Sequence, residues 1–312
     1  MTTTVLLTGA SGFIALHIID VLLSKGYKVI GTVRSQSKAD KIIKNFQNEK
    51  PSGDLSFEIV EDISIPNAFD HVLEKHPEIT KVIHAASPFF YGVDKDSLKT
   101  TYLVPATKGT ENILTAIDKF GSKVENVVIT SSFAAIVHRH KLARKYISEN
   151  KVSYELTTVN PPFVLGPQKF EDVLINPTLN TSAETINKLL KTDPSDEHFF
   201  DTPLGLATDV RDVALLHVLP LEDQNLKGKR LFPVNGAFNG QTLLNVINKN
   251  FKDLKIAKGK PEGAEEHVAK NHWFYDSSKS LEWSGLGKWI PLEKTIIDSV
   301  SQILEYQKAN EK

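Results

Sequence analysis

The octet Thr8-Gly9-Ala10-Ser11-Gly12-Phe13-Ile14-Ala15 follows the apolar run Val5-Leu6-Leu7 and precedes the amphipathic stretch His17 to Leu23. A strand that turns on glycines into a helix leaves backbone N–H groups unpaired and aims the positive end of the helix dipole at one spot, which suits a pyrophosphate. The expected ligand is a dinucleotide, cradled by Gly9, Ala10, Ser11, Gly12, Phe13 and Ile14. The next apolar run, Tyr27 to Val33, ends in Arg34, where NAD-preferring folds carry an acid for the ribose hydroxyls. The planar guanidinium of Arg34 can grip a 2′-phosphate, and Lys38, four residues on, adds a second charge. The sequence therefore predicts NADPH over NADH.

To hold such a loop the chain needs parallel strands flanked by helices, and its first half alternates accordingly. Apolar runs predict strands at 3–8, 27–33, 55–60, 80–85, 124–131 and 153–159. Helix-period stretches fall at 13–25, 37–48, 66–76 and 97–120. This is an α/β pattern, a doubly wound parallel sheet of Rossmann type. The second half changes texture: 167–202 is polar and punctuated, 229–233 is strand-like, and helical patterns recur at 240–251 and 291–307. The expected division is a nucleotide-binding domain at 1–167 and 207–235, with a smaller C-terminal substrate-binding lobe at 168–206 and 236–312.

Composition narrows the function classes. A length of 312 residues with 40% hydrophobic content is enzyme-sized and sufficient for a large core. A net charge of −1, from 37 basic and 38 acidic residues with no basic stripe among aromatics, argues against nucleic acid or an anionic membrane as partner. The absence of cysteine excludes disulfides, thiolate metal sites and thiol nucleophiles, and fits a reducing compartment. The first strand begins within a few residues of the N-terminus and no apolar run approaches the ~20 residues that span a bilayer, so a cytoplasmic protein is expected, monomeric or homodimeric.

Further motifs stand at the strand ends: Asp62-Ile63, His84-Ala85-Ala86-Ser87-Pro88, Thr130-Ser131-Ser132, Asn160-Pro161-Pro162-Phe163-Val164-Leu165-Gly166-Pro167, then Asn180-Thr181-Ser182 and Asp209-Val210-Arg211-Asp212-Val213. With the glycine-rich turn, they make the chain resemble an extended short-chain dehydrogenase/reductase, and within that family the fungal NADPH-dependent methylglyoxal and isovaleraldehyde reductases and the plant dihydroflavonol reductases. The resemblance implies that Asp62 and Ile63 flank the adenine and that Ala85, Ala86 and Ser87 run beside the cofactor. It further implies that Val164 meets the nicotinamide end and that Ser182 returns to the phosphates. It implies hydride transfer to a small aldehyde or ketone whose oxygen is held by Ser132. Phe89, Phe133 and Phe163 would supply an apolar substrate lining, and no metal is implied.

The same resemblance implies a tyrosine and a lysine at i and i+4 of the helix after Ser132, the lysine helping to lower the phenol's pKa from about 10. The span Phe133 to Val152 contains no such pair. It is still long enough for a crossover helix from about Arg139 to Lys151, with Leu142, Ala143, Tyr146 and Ile147 as its buried stripe. Tyr91 with Lys95 and Tyr275 with Lys279 repeat the spacing elsewhere, and His138, His140 and Lys141 are further possible proton donors near the crossover. Two functions are therefore carried forward: a carbonyl reductase, and an NADPH-binding pseudoenzyme or redox sensor.

Overall fold

The computed structural model of the chain describes residues 3–49, 54–87, 99–137, 142–176, 178–201 and 203–310. From the N-terminus come β1 (Thr4–Thr8), α1 (Phe13–Ser24), β2 (Lys28–Val33), α2 (Gln36–Glu49), β3 (Leu55–Ile59), α3 (Asp70–Lys75), β4 (Ile79–His84), α4 (Val104–Phe120), β5 (Asn126–Thr130), α5 (Phe133–Val137), α6 (Leu142–Glu149) and β6 (Glu155–Val159). The chain continues through β7 (Phe163–Leu165), α7 (Thr181–Leu189), β8 (Leu204–Asp209), α8 (Val210–Val218), β9 (Arg230–Leu231), β10 (Gly236–Asn239), α9 (Gly240–Asn250), α10 (Ala264–Asn271), α11 (Ser278–Ser284) and α12 (Leu292–Asn310).

It divides into two compact units, Met1–Asn160 with Ala214–Leu231, and Pro161–Val213 with Phe232–Lys312. The first holds a seven-stranded parallel sheet in the order β3-β2-β1-β4-β5-β6-β9. Its central strands β1, β4 and β5 are buried along almost their whole length, as strands covered on both faces are. All six predicted strands are present, with small shifts at their ends. On one face Leu6, Ile30, Val82 and Val127 pack with Ile113, Leu114 and Ile117 of α4.

Two helices start later than the periodicity predicts. The stretch from 66 begins with a turn in which Asn67 adopts a φ of 64°, so α3 starts only at Asp70. In the stretch predicted from 97, residues 97 and 98 lie outside the described residues, a π-helical turn spans Lys99–Leu103, and Pro105 stands in the first turn of α4. The shortened crossover is bridged by α5 and α6. Ala143, Tyr146 and Ile147 of α6 pack on the first unit's core as half-buried residues, and the Tyr146 hydroxyl donates to Asp118 on α4 at 2.6 Å.

The second unit carries a separate three-stranded sheet, β10-β8-β7, with β8 antiparallel to β10 and parallel to β7. Because β7 pairs with β8 and not with the large sheet, the structural divisions fall after Asn160 and Val213, where the sequence reading places them at 167 and 206. Helices α7, α9 and α12 contribute Ile186, Leu243, Ile247, Ile296 and Val300 to its core. Asp209, at the end of β8, is fully buried and accepts from Arg211 Nε and Nη2 and from the Thr295 hydroxyl of α12. Arg211 Nη1 also donates to Asp298, so one guanidinium ties β8 to α12. Among the described residues no helix is long and apolar enough to cross a membrane.

Candidate functional site

Strand order reverses between β1 and β4, and open α/β sheets bind ligands at such a switch point, beyond the carboxyl ends of the strands. Gly9, just past β1, has a φ of +68°. A Cβ there would sit 2.7 Å from Ala86 Cα and 2.9 Å from Ala86 N, so only glycine lets the two strand ends approach this closely. The loop is pinned from both sides: Gly9 N–H donates to the Thr32 hydroxyl and Ala10 N–H to the Thr32 carbonyl, while Ala86 N–H donates to the Thr8 hydroxyl.

Gly12 is the N-cap of α1, and no side-chain cap bond occupies the helix's first-turn amides. Ser11 and Gly12 are exposed, Ala10 is buried, and Phe13 and Ile14 are half-buried at the start of the helix. Bare backbone amides at a helix N-terminus suit a pyrophosphate. At the end of β2, Arg34 is exposed, as is Lys38 on α2. Asp62 follows β3, its carboxyl held below the usual carboxylate range chiefly by the Ser64 hydroxyl and N–H that it accepts, with Arg34 adding its charge. Ile63 packs against Gly109 of α4, where a Cβ would come within 2.6 Å of its Cδ1. Ala85 and Ala86 are half-buried and Ser87 is exposed.

Ser132 stands exposed just beyond β5. Its Oγ accepts the Ala134 N–H at 3.1 Å, which caps α5 and leaves the hydroxyl proton available to donate. Asn160, at the end of β6, donates from Nδ2 to the Ser132 carbonyl at 2.9 Å and so fixes the serine's backbone from the adjacent strand. Phe133 opens α5 and is half-buried. Glycine-rich cradle, Arg34, Asp62, Ala85 to Ser87 and Ser132 thus all belong to the first unit, at the carboxyl ends of its strands.

Three expected residues lie in the second unit. Val164 is buried in β7, Phe163 packs edge-on against Phe238 with ring centroids 5.5 Å apart, and Ser182 is half-buried in the first turn of α7. Phe89, Tyr91, Lys95, His138, His140 and Lys141 fall outside the described residues. Tyr275 stacks edge-on with His272, and Lys279 is exposed on α11. The sequence reading gives no role to the side chains of Thr8, Thr32, His84 and Asn160, which pin the loop and Ser132. Their signal is polarity at the ends of otherwise apolar runs: a buried hydroxyl, imidazole or amide must find a partner.

The model of the NAD dependent epimerase/dehydratase family matches residues 5–172, more than half of the chain. The chain belongs to this family. Among epimerase/dehydratase relatives, the putative NADPH-dependent methylglyoxal reductase GRP2 of Candida albicans is 36% identical, over 97% of this chain and 98% of that protein. The NADPH-dependent methylglyoxal reductase GRE2 of Saccharomyces cerevisiae is likewise 36% identical, over 97% and 98%. Of solved structures, Gre2 from Candida albicans in complex with NADPH superposes with a TM-score of 0.88 at 38% identity, covering 97% of this chain and 99% of that one. Yeast methylglyoxal/isovaleraldehyde reductase Gre2 complexed with NADPH gives 0.88 at 35%, covering 98% and 99%. The GRP2 alignment runs over 343 positions, more than the 312 residues of this chain, so that relative carries residues for which this chain has no counterpart.

Proposed function

We propose that the chain is an NADPH-dependent carbonyl reductase that delivers hydride to a small aldehyde or ketone. The observation that carries the reading is the cradle between β1 and β4, where Gly9 packs against Ala86 with no side chain between them. In this reading the amides of the Gly9–Ile14 turn hold the pyrophosphate and Arg34 with Lys38 the 2′-phosphate. NADPH, when bound, supplies the hydride. Ser132 donates a hydrogen bond to the substrate oxygen, and Phe133 excludes water beside it. The relatives' names support the substrate class, since they act on methylglyoxal and isovaleraldehyde. The lack of cysteine fits a cytosolic location.

The test is NADPH oxidation with methylglyoxal or isovaleraldehyde, compared between the native chain and Ser132→Ala. A rate clearly above the variant's is expected; a rate no higher overturns the reductase reading.

A second reading, a nucleotide-binding pseudoenzyme or redox sensor, rests on the crossover. Between β5 and β6 the described helices are α5, of 5 residues, and α6, of 8. No tyrosine there precedes a lysine by four positions. Loss of a positioned general acid costs ~10²–10⁴-fold in rate. This reading predicts NADPH uptake by calorimetry with negligible turnover, and absence of uptake by folded protein removes both readings.

A further inference from the structure

We propose that His84 is a positioning residue for the dinucleotide cradle, acting through Thr8; the inference rests on the cofactor reading above and deepens it. Thr8 and His84 face each other across β1 and β4 as register partners. Thr8 is fully buried and His84 3% exposed. Thr8 Oγ1 lies 2.8 Å from His84 Nδ1 and accepts the Ala86 N–H at 3.2 Å. A hydroxyl carries one proton and two acceptor lone pairs, so the one Thr8 oxygen can hold the Ala86 amide and Nδ1 of the imidazole together.

The relay therefore runs from His84 to Thr8 to the Ala86 amide, and Ala86 is the atom group against which Gly9 closes. The His84 ring is itself oriented by the edge of the sheet's neighbour Phe69, whose centroid is 6.0 Å away at 86°. Remove Nδ1 and the buried Thr8 hydroxyl loses one of its two partners, a state proteins avoid. The Thr8 side chain then turns toward another partner and its oxygen releases the Ala86 N–H. The wall of the cradle loosens although no residue touching the cofactor has changed.

The experiment compares the full chain with Thr8→Val, Thr8→Ser, His84→Phe, His84→Asn and the double variant Thr8→Val/His84→Phe. Two quantities are read: NADPH affinity by fluorescence titration, and hydrogen exchange of the Ala86 amide in the protein without added nucleotide. Thr8→Val and His84→Phe are each expected to weaken NADPH about tenfold and to speed Ala86 exchange by a similar factor, one hydrogen bond's worth. The double variant should be no worse than Thr8→Val alone, because both substitutions break one relay. Thr8→Ser keeps the hydroxyl and His84→Asn offers an amide, donor or acceptor, near the place of Nδ1; both should recover most of the loss.

Additive losses in the double variant, or His84→Asn failing as badly as His84→Phe, would show that His84 acts by packing and overturn the relay. Native protein that does not take up NADPH would instead overturn the functional reading, and the exchange measurement would still decide the relay. Should His84→Phe not fold, Thr8→Val against Thr8→Ser with His84→Asn reads the same bond.

Discussion

At the scale of single residues, Gly9 is the position with the least latitude. A side chain there meets the Ala86 backbone and must also tolerate a φ of +68°. Gly9→Ala is expected to weaken NADPH about a hundredfold, from strain of ~2–3 kcal/mol. Gly26 makes the control: its φ is +79°, yet nothing lies within 4 Å of an added Cβ, so Gly26→Ala should leave nucleotide titrations unchanged. Arg34 tests the choice of nucleotide. Arg34→Asp should cost NADPH at least about tenfold more than NADH, the order of one charge-assisted contact, and equal losses would exclude Arg34 as the phosphate reader. Both positions were legible in the sequence because a positive-φ turn and a terminal guanidinium are written in residue type. Thr8 and His84 were not, because their importance lies in facing each other across strands 76 residues apart.

At the scale of elements, six of the seven strands of the large sheet read from apolar runs, and the central ones, β1, β4 and β5, are buried along almost their whole length. The second unit's sheet did not. The strand β7 is apolar but has only 3 residues, and β8 is broken by Gly205 and ends in Thr208 and Asp209, so neither presents an apolar run of ordinary strand length. What fixes β8 is a charge network: Asp209 buried beneath Arg211, Thr295 and, through Arg211, Asp298 of α12. Arg211→Ala would leave Asp209 buried without its fork-shaped partner and should destabilise the protein by roughly 3–5 kcal/mol in urea titration. Arg211→Lys should recover only part, because an ammonium cannot meet both carboxylate oxygens in plane. Of the four residues expected as the crossover helix's buried stripe, Ala143, Tyr146 and Ile147 pack on the core but are only half-buried, whereas the late starts of α3 and α4 follow from a turn at Asn67 and a π-helical turn that periodicity does not encode.

At the scale of the whole molecule, two buried groups give acid stability opposite signs. Burial lowers the pKa of His84 to about 4, so the unfolded chain takes up a proton first. Its contribution is complete above about pH 6.5 and is lost as pH falls toward 4. Burial raises Asp212 to about 6, so the folded chain keeps a proton that the unfolded chain has shed. That contribution is complete below about pH 4 and is lost as pH rises through 6. Urea midpoints from pH 4 to 7 should therefore fall more steeply toward acid in Asp212→Asn and less steeply in His84→Phe, by on the order of 2 kcal/mol across the range. A profile unaltered by either substitution would contradict these assignments. The interleaving of the units has its own consequence. The partner that closes the far side of β6 is β9, which arrives after an excursion of some seventy residues and takes the Thr158 and Asn160 amides onto the carbonyls of Lys229 and Leu231. A fragment ending at residue 160 would expose that row of amides and carbonyls as a free template and join to its own copies, so the nucleotide half cannot be excised by a single cut.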